Sequence, residues 1–551
     1  MKIYCVNTES YIDIKGGESL SDILRLIGPL PFSPICARVN NRTEPLSFQV
    51  FMPKQVEFIC PSHPSSLRVY VRSLCMMLYR AVSLVHPEAR LCIEHSISHG
   101  HYCRLLTRDK EPQVITPDVE ALAVCMRSLA ARSLPFECHD RLTRDAIEIF
   151  RSQGLMAKVN LLESLHELYT TYYTLDSLAD IYYGPLAPRT SDVGVFALEP
   201  YEEGLLLLTP DPADMACPQK SVPQKKMYNA FKEHLRFNAV VGVSNAGELN
   251  RVVEERRSSD LINLSEALHS QSLAAIAHDI RKRGARFVLI AGPSSSGKTT
   301  TCKRLAIQLM TCLLRPKMIS LDDYFVNRDQ TPVDPVSGDY DFESLYALDL
   351  PLLSAHLKAL LRGEEINLPT YSFELGRRVE KKRPLRLEKD DVLLMEGIHG
   401  LNPALLGDVP VESVFKMYVS ALTTLSIDDH NWISTTDTRL LRRIVRDHKY
   451  RSTSALDTLR RWPSVRRGED KWIFPFQENA DAMFNSSLLF EIAVMKEYAE
   501  PLLRGVPHDA TEYSEAYRLL TFLSKFMPLP ETQIPGTSLL REFLGGSTFT
   551  Y

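Results

Sequence analysis

The sequence predicts an α/β protein: a doubly wound, mainly parallel sheet in the C-terminal half, preceded by two smaller α+β units. Three stretches carry that expectation. Phe287 to Ala291 is an apolar run of buried-strand type that breaks into Gly292-Pro-Ser-Ser-Ser-Gly-Lys-Thr299 and then into helical periodicity. Met318 to Leu321 is a second run, ending in Asp322, and Val392 to Met395 is a third, ending in Glu396. Strands that end in acids behind a strand–loop–helix turn belong to parallel sheets, whose ligands sit beyond the carboxyl ends of the strands.

At 551 residues the chain has room for about three or four domains. With 44% hydrophobic and 24% charged residues it can bury several cores. A net charge of −4 gives no global attraction to nucleic acid or membrane. The eleven cysteines include no C-x-x-C pair, so neither a zinc ribbon nor a disulfide framework is expected. The start has no apolar core of signal type, and no run approaches the roughly 18 apolar residues that cross a bilayer. A reducing cytoplasm is the expected compartment.

Residues 1–62 alternate short strands with turns. Lys2 to Val6 and Tyr11 to Ile14 form an expected hairpin, Ser19 to Ile27 a helix, and Ala37–Asn41 and Val56–Cys60 further strands. With Gly17-Glu-Ser-Leu20 before the helix and Ala37-Arg-Val-Asn40 after it, this order resembles the TGS domain. TGS domains are small β-grasp modules at the front of threonyl-tRNA synthetases and some GTPases.

Residues 63–220 form the second expected unit. An amphipathic helix over Leu67–Ser83 and a strand over Ala89–Glu94 lead into His95-Ser-Ile-Ser-His99. Two histidines four apart fall on one helical face, a metal-ligand spacing. The surroundings resemble the second additional (editing) domain of threonyl- and alanyl-tRNA synthetases, where such a pair is joined by a C-x-x-x-H pair. Here Tyr182 and Leu186 stand at those two positions, and neither is a zinc ligand of any quality. Cys103, Cys138 and His139 are the remaining candidate donors. The pair His95 and His99 is therefore expected to be vestigial, in a scaffold retained for packing or partner binding. Residues 221–284 read as a connector, partly helical over Leu261–Arg283, with one more strand over Phe237–Val243.

The loop chemistry is specific. Glycines let successive N–H groups turn inward, and the helix N-terminus adds partial positive charge, so a polyphosphate fits there. Gly292, Pro293, Ser294, Ser295, Ser296, Gly297, Lys298, Thr299 and Thr300 are the expected ATP-binding residues. Lys298 would reach the terminal phosphates and the Thr299 hydroxyl would bind Mg²⁺. Asp322 is placed to orient and deprotonate an accepting hydroxyl, and Glu396 to hold the Mg²⁺ shell.

Five motifs then occur in order: Gly292–Thr299, Ser320-Leu-Asp-Asp-Tyr-Phe325, Leu368-Pro-Thr-Tyr-Ser-Phe373, Leu394-Met-Glu-Gly-Ile398 and Thr438-Arg-Leu-Leu-Arg-Arg-Ile-Val-Arg-Asp447. Together they resemble the uridine kinase/phosphoribulokinase family over roughly 285–500. The whole chain resembles bacterial proteins that fuse a TGS and synthetase-like segment to a uridine kinase-type domain, here 285–510, with a final helix and tail over 511–551. The resemblance implies Asp322 as catalytic base, with Lys298, Arg443 and Arg446 stabilising transferred charge. It implies Arg451 as a further lid arginine on ATP, and Phe325, Tyr371, Phe373 and Arg443 at the acceptor. Gly376 lies close to where pyrimidine-specific uridine kinases carry a histidine. Guanidinium groups suit a lid because they stay charged and grip phosphate oxygens in pairs.

Compact uridine kinases pass quickly from strand to lid. Here Ala421 to Thr436 intervenes, with Asp428, Asp429 and His430 as candidates for substrate selectivity or as a plain surface loop. The expected function is an ATP·Mg²⁺-dependent nucleoside kinase. The alternatives are a phosphoribulokinase-like kinase of another small sugar or alcohol, and an RNA- or ribosome-associated regulator switched by nucleotide. No membrane partner is expected, and an oligomer is compatible with the sequence.

Overall fold

Phe287–Ala291 is the middle strand of a five-stranded, wholly parallel sheet. In spatial order the strands are Arg315–Ser320, Asp391–Glu396, Phe287–Ala291, Val414–Ser420 and Ala482–Asn485. The computed structural model describes residues 1–550 except 110, 336, 337, 339 and 408. All five residues of the central strand are fully buried, which is why the run shows no polar alternation. Each large apolar side chain there contributes about 1.5–3 kcal/mol by leaving water. The carboxyl ends of the strands deliver the Gly292 loop, Asp322 and Glu396 to one edge of the sheet.

The helix after the loop, Lys298–Thr311, buries Cys302, Leu305, Ala306 and Leu309. Met310 and Leu313, which the periodicity puts on the same face, are 62% and 78% exposed. The helix stops at Thr311 and Leu313 takes a left-handed conformation, so the face ends a turn early.

The first unit is a sheet in the order Ser10–Asp13, Lys2–Cys5, Gln55–Phe58, Cys36–Val39, Arg42–Pro45, with the Lys2 and Gln55 strands parallel. One helix, Leu20–Ile27, packs on it, started by a capping box between Ser19 and Asp22. The second unit packs the long helix Pro64–Val85 against a sheet containing Ala89–Ile97, Gly100–Thr107 and Gly204–Leu208. The connector is helical: Lys225–Val241, Ala246–Glu254 and Ser258–Arg283. The strand expected over Phe237–Val243 is instead the end of the first of these helices. Leu249, Leu273 and Ile280 share one core with Val288 and Ile290 of the parallel sheet, so this segment is part of the body built on that sheet.

The 421–436 segment is neither a surface loop nor part of the phosphate crevice. Asp428 and His430 are buried against the second unit, in a knot with Lys158 and Asp180. Lys158 Nζ lies 2.8 Å from Asp180 and 2.6 Å from Asp428, and His430 Nδ1 lies 2.8 Å from Asp180. Burial alone would raise the Asp180 carboxyl, but Lys158 and His430 outweigh it and hold it well below the usual range. The Asn431 side-chain amide donates a hydrogen bond to Asp428 at 2.9 Å. The segment thus ties the two halves together through paired buried charge, His430 Nε2 alone of the knot's ring nitrogens having no partner among the described residues.

The C-terminal helix Tyr513–Leu523 is a second tie. Glu515 meets Arg68 at 2.8 Å, Arg518 meets Asp437 at 2.7 Å, and Arg42 lies 4.0 Å over the Tyr517 ring. The tail then returns to the sheet edge, burying Leu539, Leu540, Phe543 and Leu544 beside the loop helix. Among the described residues no helix is long and apolar enough to cross a membrane.

Candidate functional site

The loop passes so close to the neighbouring strand that a Cβ on Gly292 would lie 2.0 Å from the Val419 carbonyl oxygen. Only glycine permits that approach. Ser295 adopts φ 59 and Gly297 φ 84, which turns the chain into the helix. The Lys298 ammonium donates to the Pro293 carbonyl at 3.1 Å. The Ser295 and Ser296 hydroxyls are buried without partners among the described residues, so they are available to a ligand.

Two carboxylates occupy anion-binding donors of the loop. Glu469 accepts the Ser294 N–H at 3.0 Å. Glu542, from the C-terminal tail, accepts the Thr300 N–H at 3.1 Å and its hydroxyl at 2.6 Å. Anions at these donors are what a helix N-terminus attracts, and they mark where phosphate oxygens would be received.

Glu396 sits behind Lys298. The Thr299 and Ser320 hydroxyls each donate to its Oε1 at 3.4 Å. Burial pushes its carboxyl up to about 7; Lys298 opposes this, and Asp322 and Glu542 add to it. A carboxylate flanked by hydroxyls is a hard oxygen donor set of the kind Mg²⁺ takes, and a cation there would restore the charge on Glu396.

Asp322 and Asp323 differ sharply. Asp323 is held by Arg383 at 2.9 Å, which also bonds Thr370. Asp322 has its side chain open to the crevice, facing the charges of Lys298 and Arg451. Burial in the crevice raises its pKa, Lys298 pulls it back and Asp323 adds to the rise. Glu343, which the sequence reading passed over, joins the same field. Its carboxyl is pushed up to about 7 by burial and by Glu469, with Arg443 and Lys298 opposing.

The arginine helix Thr435–Arg451 divides its cations. Arg443 reaches the loop, donating to the Ser294 hydroxyl at 2.8 Å. Arg446 and Arg451 instead meet Asp447 at 3.0 and 3.4 Å, as Arg443 does from its other side at 3.2 Å. Arg442 is not a solvated cation: it is fully buried, donating to Glu491 at 2.7 Å and to the Ser295 carbonyl at 3.4 Å. Arg439, also unpicked from sequence, donates to the Ser294 carbonyl at 3.0 Å and is paired with Glu469. Its signal was present in the quoted Thr438–Asp447 motif, but helical spacing alone does not say which arginines turn inward.

Phe325, Tyr371 and Phe373 cluster, with ring centroids 5.1–5.7 Å apart. Phe325 and Tyr371 are buried and Phe373 is half exposed, forming an apolar wall at the end of the Asp322 strand. A Cβ on Gly376 would lie 2.7 Å from Arg328 Nε, so an arginine fills the place where the resemblance puts a histidine.

The histidine pair of the second unit is corrected. His95 lies in the strand Ala89–Ile97 and His99 in the turn after it, at φ 63, so they share no helical face. His95 is 2% exposed and stacks on Phe231 at 3.6 Å, and burial drives its pKa down to about 3. The His99 ring instead meets the Lys220 carbonyl at 3.1 Å. Tyr182 and Leu186 are core residues. Among the described residues no group of three or more His, Cys, Asp or Glu is placed to hold a metal ion by itself.

Residues 287–492 match the model of the "Phosphoribulokinase / Uridine kinase family". The uridine kinase of Bacillus pumilus is 31% identical over 194 residues, 35% of this chain and 82% of that one. That of Halobacterium salinarum is 29% identical over 236 residues, 41% of this chain and 94% of that one. The N-terminal half matches threonine–tRNA ligases; that of Citrifermentans bemidjiense is 27% identical over 186 residues, 34% of this chain. The chain spans only 29% of that ligase's length. The kinase match runs through the loop, the strand-end acids and the arginine helix described above, and covers most of its relatives. The chain belongs to the phosphoribulokinase / uridine kinase family.

Proposed function

We propose that the chain is an ATP-dependent nucleoside kinase, moving the γ-phosphoryl group of ATP to the 5′-hydroxyl of a nucleoside. The observation that carries this is the asymmetry of the acid pair. Asp323 is committed to Arg383, whereas Asp322 has no ion-pair partner among the described residues and faces the Lys298 ammonium at the strand end. A carboxylate so placed can take the proton of an acceptor hydroxyl whose ring rests on Phe325, Tyr371 and Phe373. The new bond joins the acceptor oxygen to the γ-phosphorus, the bond to the β-phosphate oxygen breaks, and ADP leaves. Lys298 and Arg443 sit where they would neutralise charge on the moving group. Thr299 and Glu396 would hold Mg²⁺, which would supply charge neutralisation for the phosphates.

The front half is read as a TGS-like unit over 1–62 and an editing-domain-like unit over 63–220, supported by the ligase match and by the sheet order of the first unit. The buried knot between Lys158 and Asp428 favours a structural use of the second unit over a catalytic one. The test is ADP release against a panel of nucleosides. Acceptor-dependent release is expected with at least one nucleoside and is expected to vanish in Lys298→Met. Release with small sugars or alcohols and with no nucleoside would replace the nucleoside by a phosphoribulokinase-type acceptor.

A further inference from the structure

A cavity of about 880 Å³ lies where the first unit, helix Pro64–Val85, the 421–436 segment, helix Ala455–Trp472 and the C-terminal helix meet. Neither the 292–299 loop nor Asp322 nor Glu396 lines it, so it is separate from the kinase crevice. Its size is that of a small-molecule site. Six arginines line it, Arg38, Arg68, Arg72, Arg466, Arg467 and Arg518, against three carboxylates.

Most of these guanidiniums have acidic partners. Arg68 has Glu515, Arg518 has Asp437, Arg466 has Glu469, Arg467 has Asp334 and Arg38 has Glu57. Arg72 has none within 4 Å among the described residues: its Nε and Nη2 donate only to the Pro185 carbonyl, at 3.2 and 3.1 Å. Burial pushes its pKa down to about 10, and Arg68 pushes in the same direction. A cation held half-buried without an anion carries a standing desolvation cost that a bound anion would relieve. The same wall holds flat faces. Trp432 and Trp462 both line the cavity, and His101 packs on Trp432 with centroids 4.3 Å apart.

We propose that this cavity binds a nucleoside phosphate, with its phosphate on Arg72 and Arg68 and its base against Trp432. The wall is shared with the kinase site. The Trp462 ring has the Arg439 and Arg443 guanidiniums 5.4 and 5.9 Å from its centroid, and both arginines bond Ser294 of the loop. Arg466 bonds Glu469, which holds the Ser294 N–H. An occupant of the cavity is therefore two side chains away from the loop by either route.

Two of the chain's three tryptophans line the cavity, so tryptophan emission reports on it. The Lys298→Ala chain, crippled at the loop, is titrated with AMP, UMP, GMP and CMP, and separately with inorganic phosphate. Saturable quenching by at least one nucleotide is expected, with phosphate at least about tenfold weaker because it has no ring to stack. Arg72→Gln in that background is expected to weaken the same nucleotide about tenfold or more, and Arg72→Lys to recover part of it. Equilibrium dialysis of the unaltered protein is expected to find two nucleotides per chain, which keeps the test independent of how well the variants fold. One nucleotide per chain, equal quenching by phosphate, or unchanged affinity in Arg72→Gln would each overturn the proposal.

Discussion

Two regions of this chain that hold clustered charge are built on opposite terms. At the junction with the second unit, Lys158, Asp180, Asp428 and His430 are each less than 2% exposed and bond one another at 2.6–2.8 Å. Around the phosphate loop, Asp322 repels both Glu343 and Glu396, and Lys298 and Arg443 offset this only in part. In the first arrangement each charge has an opposite partner, so its charges are fixed. In the second, burial and neighbouring carboxylates raise the acids, and a divalent cation held among them would bring them down again. A strained electrostatic field in a crevice points to chemistry, and a satisfied one to architecture.

The largest test of that contrast is at the acid pair. Asp322→Asn is expected to cut kcat by about 10²–10⁴-fold, the usual loss when a general base is removed. Asp323→Asn is expected to cost less than about tenfold, since it loosens Arg383 and leaves Asp322 in place. Equal losses in steady-state assays would mean that the pairing to Arg383 does not separate the two roles.

At the other region the expected damage is to stability. Lys158→Met removes the cation that the buried Asp180 and Asp428 share and is expected to cost about 3–5 kcal/mol in denaturant unfolding. The surviving folded fraction should retain its KM for ATP, because no residue of the knot lines the phosphate crevice. A normal midpoint with a changed KM would show that the 421–436 segment serves the site after all.

The elements that positioned this site were legible because they obey local rules. The Phe287–Ala291 run, the glycine-bounded loop and the acids at the ends of two strands are readable from spacing alone. What sequence did not show is long-range. Glu469 and Glu542 reach the loop from about 170 and 240 residues away, and nothing in their local pattern marks them. Arg439 and Arg442 turn inward because Glu469 and Glu491 meet them there, which the helix's own periodicity cannot reveal. His95 and His99 misled for the converse reason. Four-residue spacing means one face only on a helix, and that stretch is a strand and a tight turn.

A smaller effect belongs to pH. Glu396 and Glu343 have folded-state values of about 7 against an ordinary 4.5, so the folded chain holds their protons longer than the unfolded chain does. Stability is expected to fall as pH rises from about 4.5 to about 7 and to level off above that. Glu396→Gln should flatten this slope measurably in melts of the ligand-free protein. An unchanged slope would place the titration elsewhere.

The smallest expected effect is at the tail. Glu542 bonds the Thr300 N–H and hydroxyl from the end of the chain, while Leu539 packs against Gly297, so a fixed anion already sits at the loop helix. An anion at a helix N-terminus is worth about 0.3–1 kcal/mol, and the same donors cannot serve it and a phosphate together. Glu542→Gln keeps the shape and an acceptor oxygen but removes the charge. Its ATP affinity is expected to rise about threefold, with the gain shrinking at high salt as the repulsion is screened. A fall in affinity by titration calorimetry would mean the reverse: that Glu542 acts as a cap holding the loop open for nucleotide, and that the crevice is less incomplete than its raised carboxyls indicate.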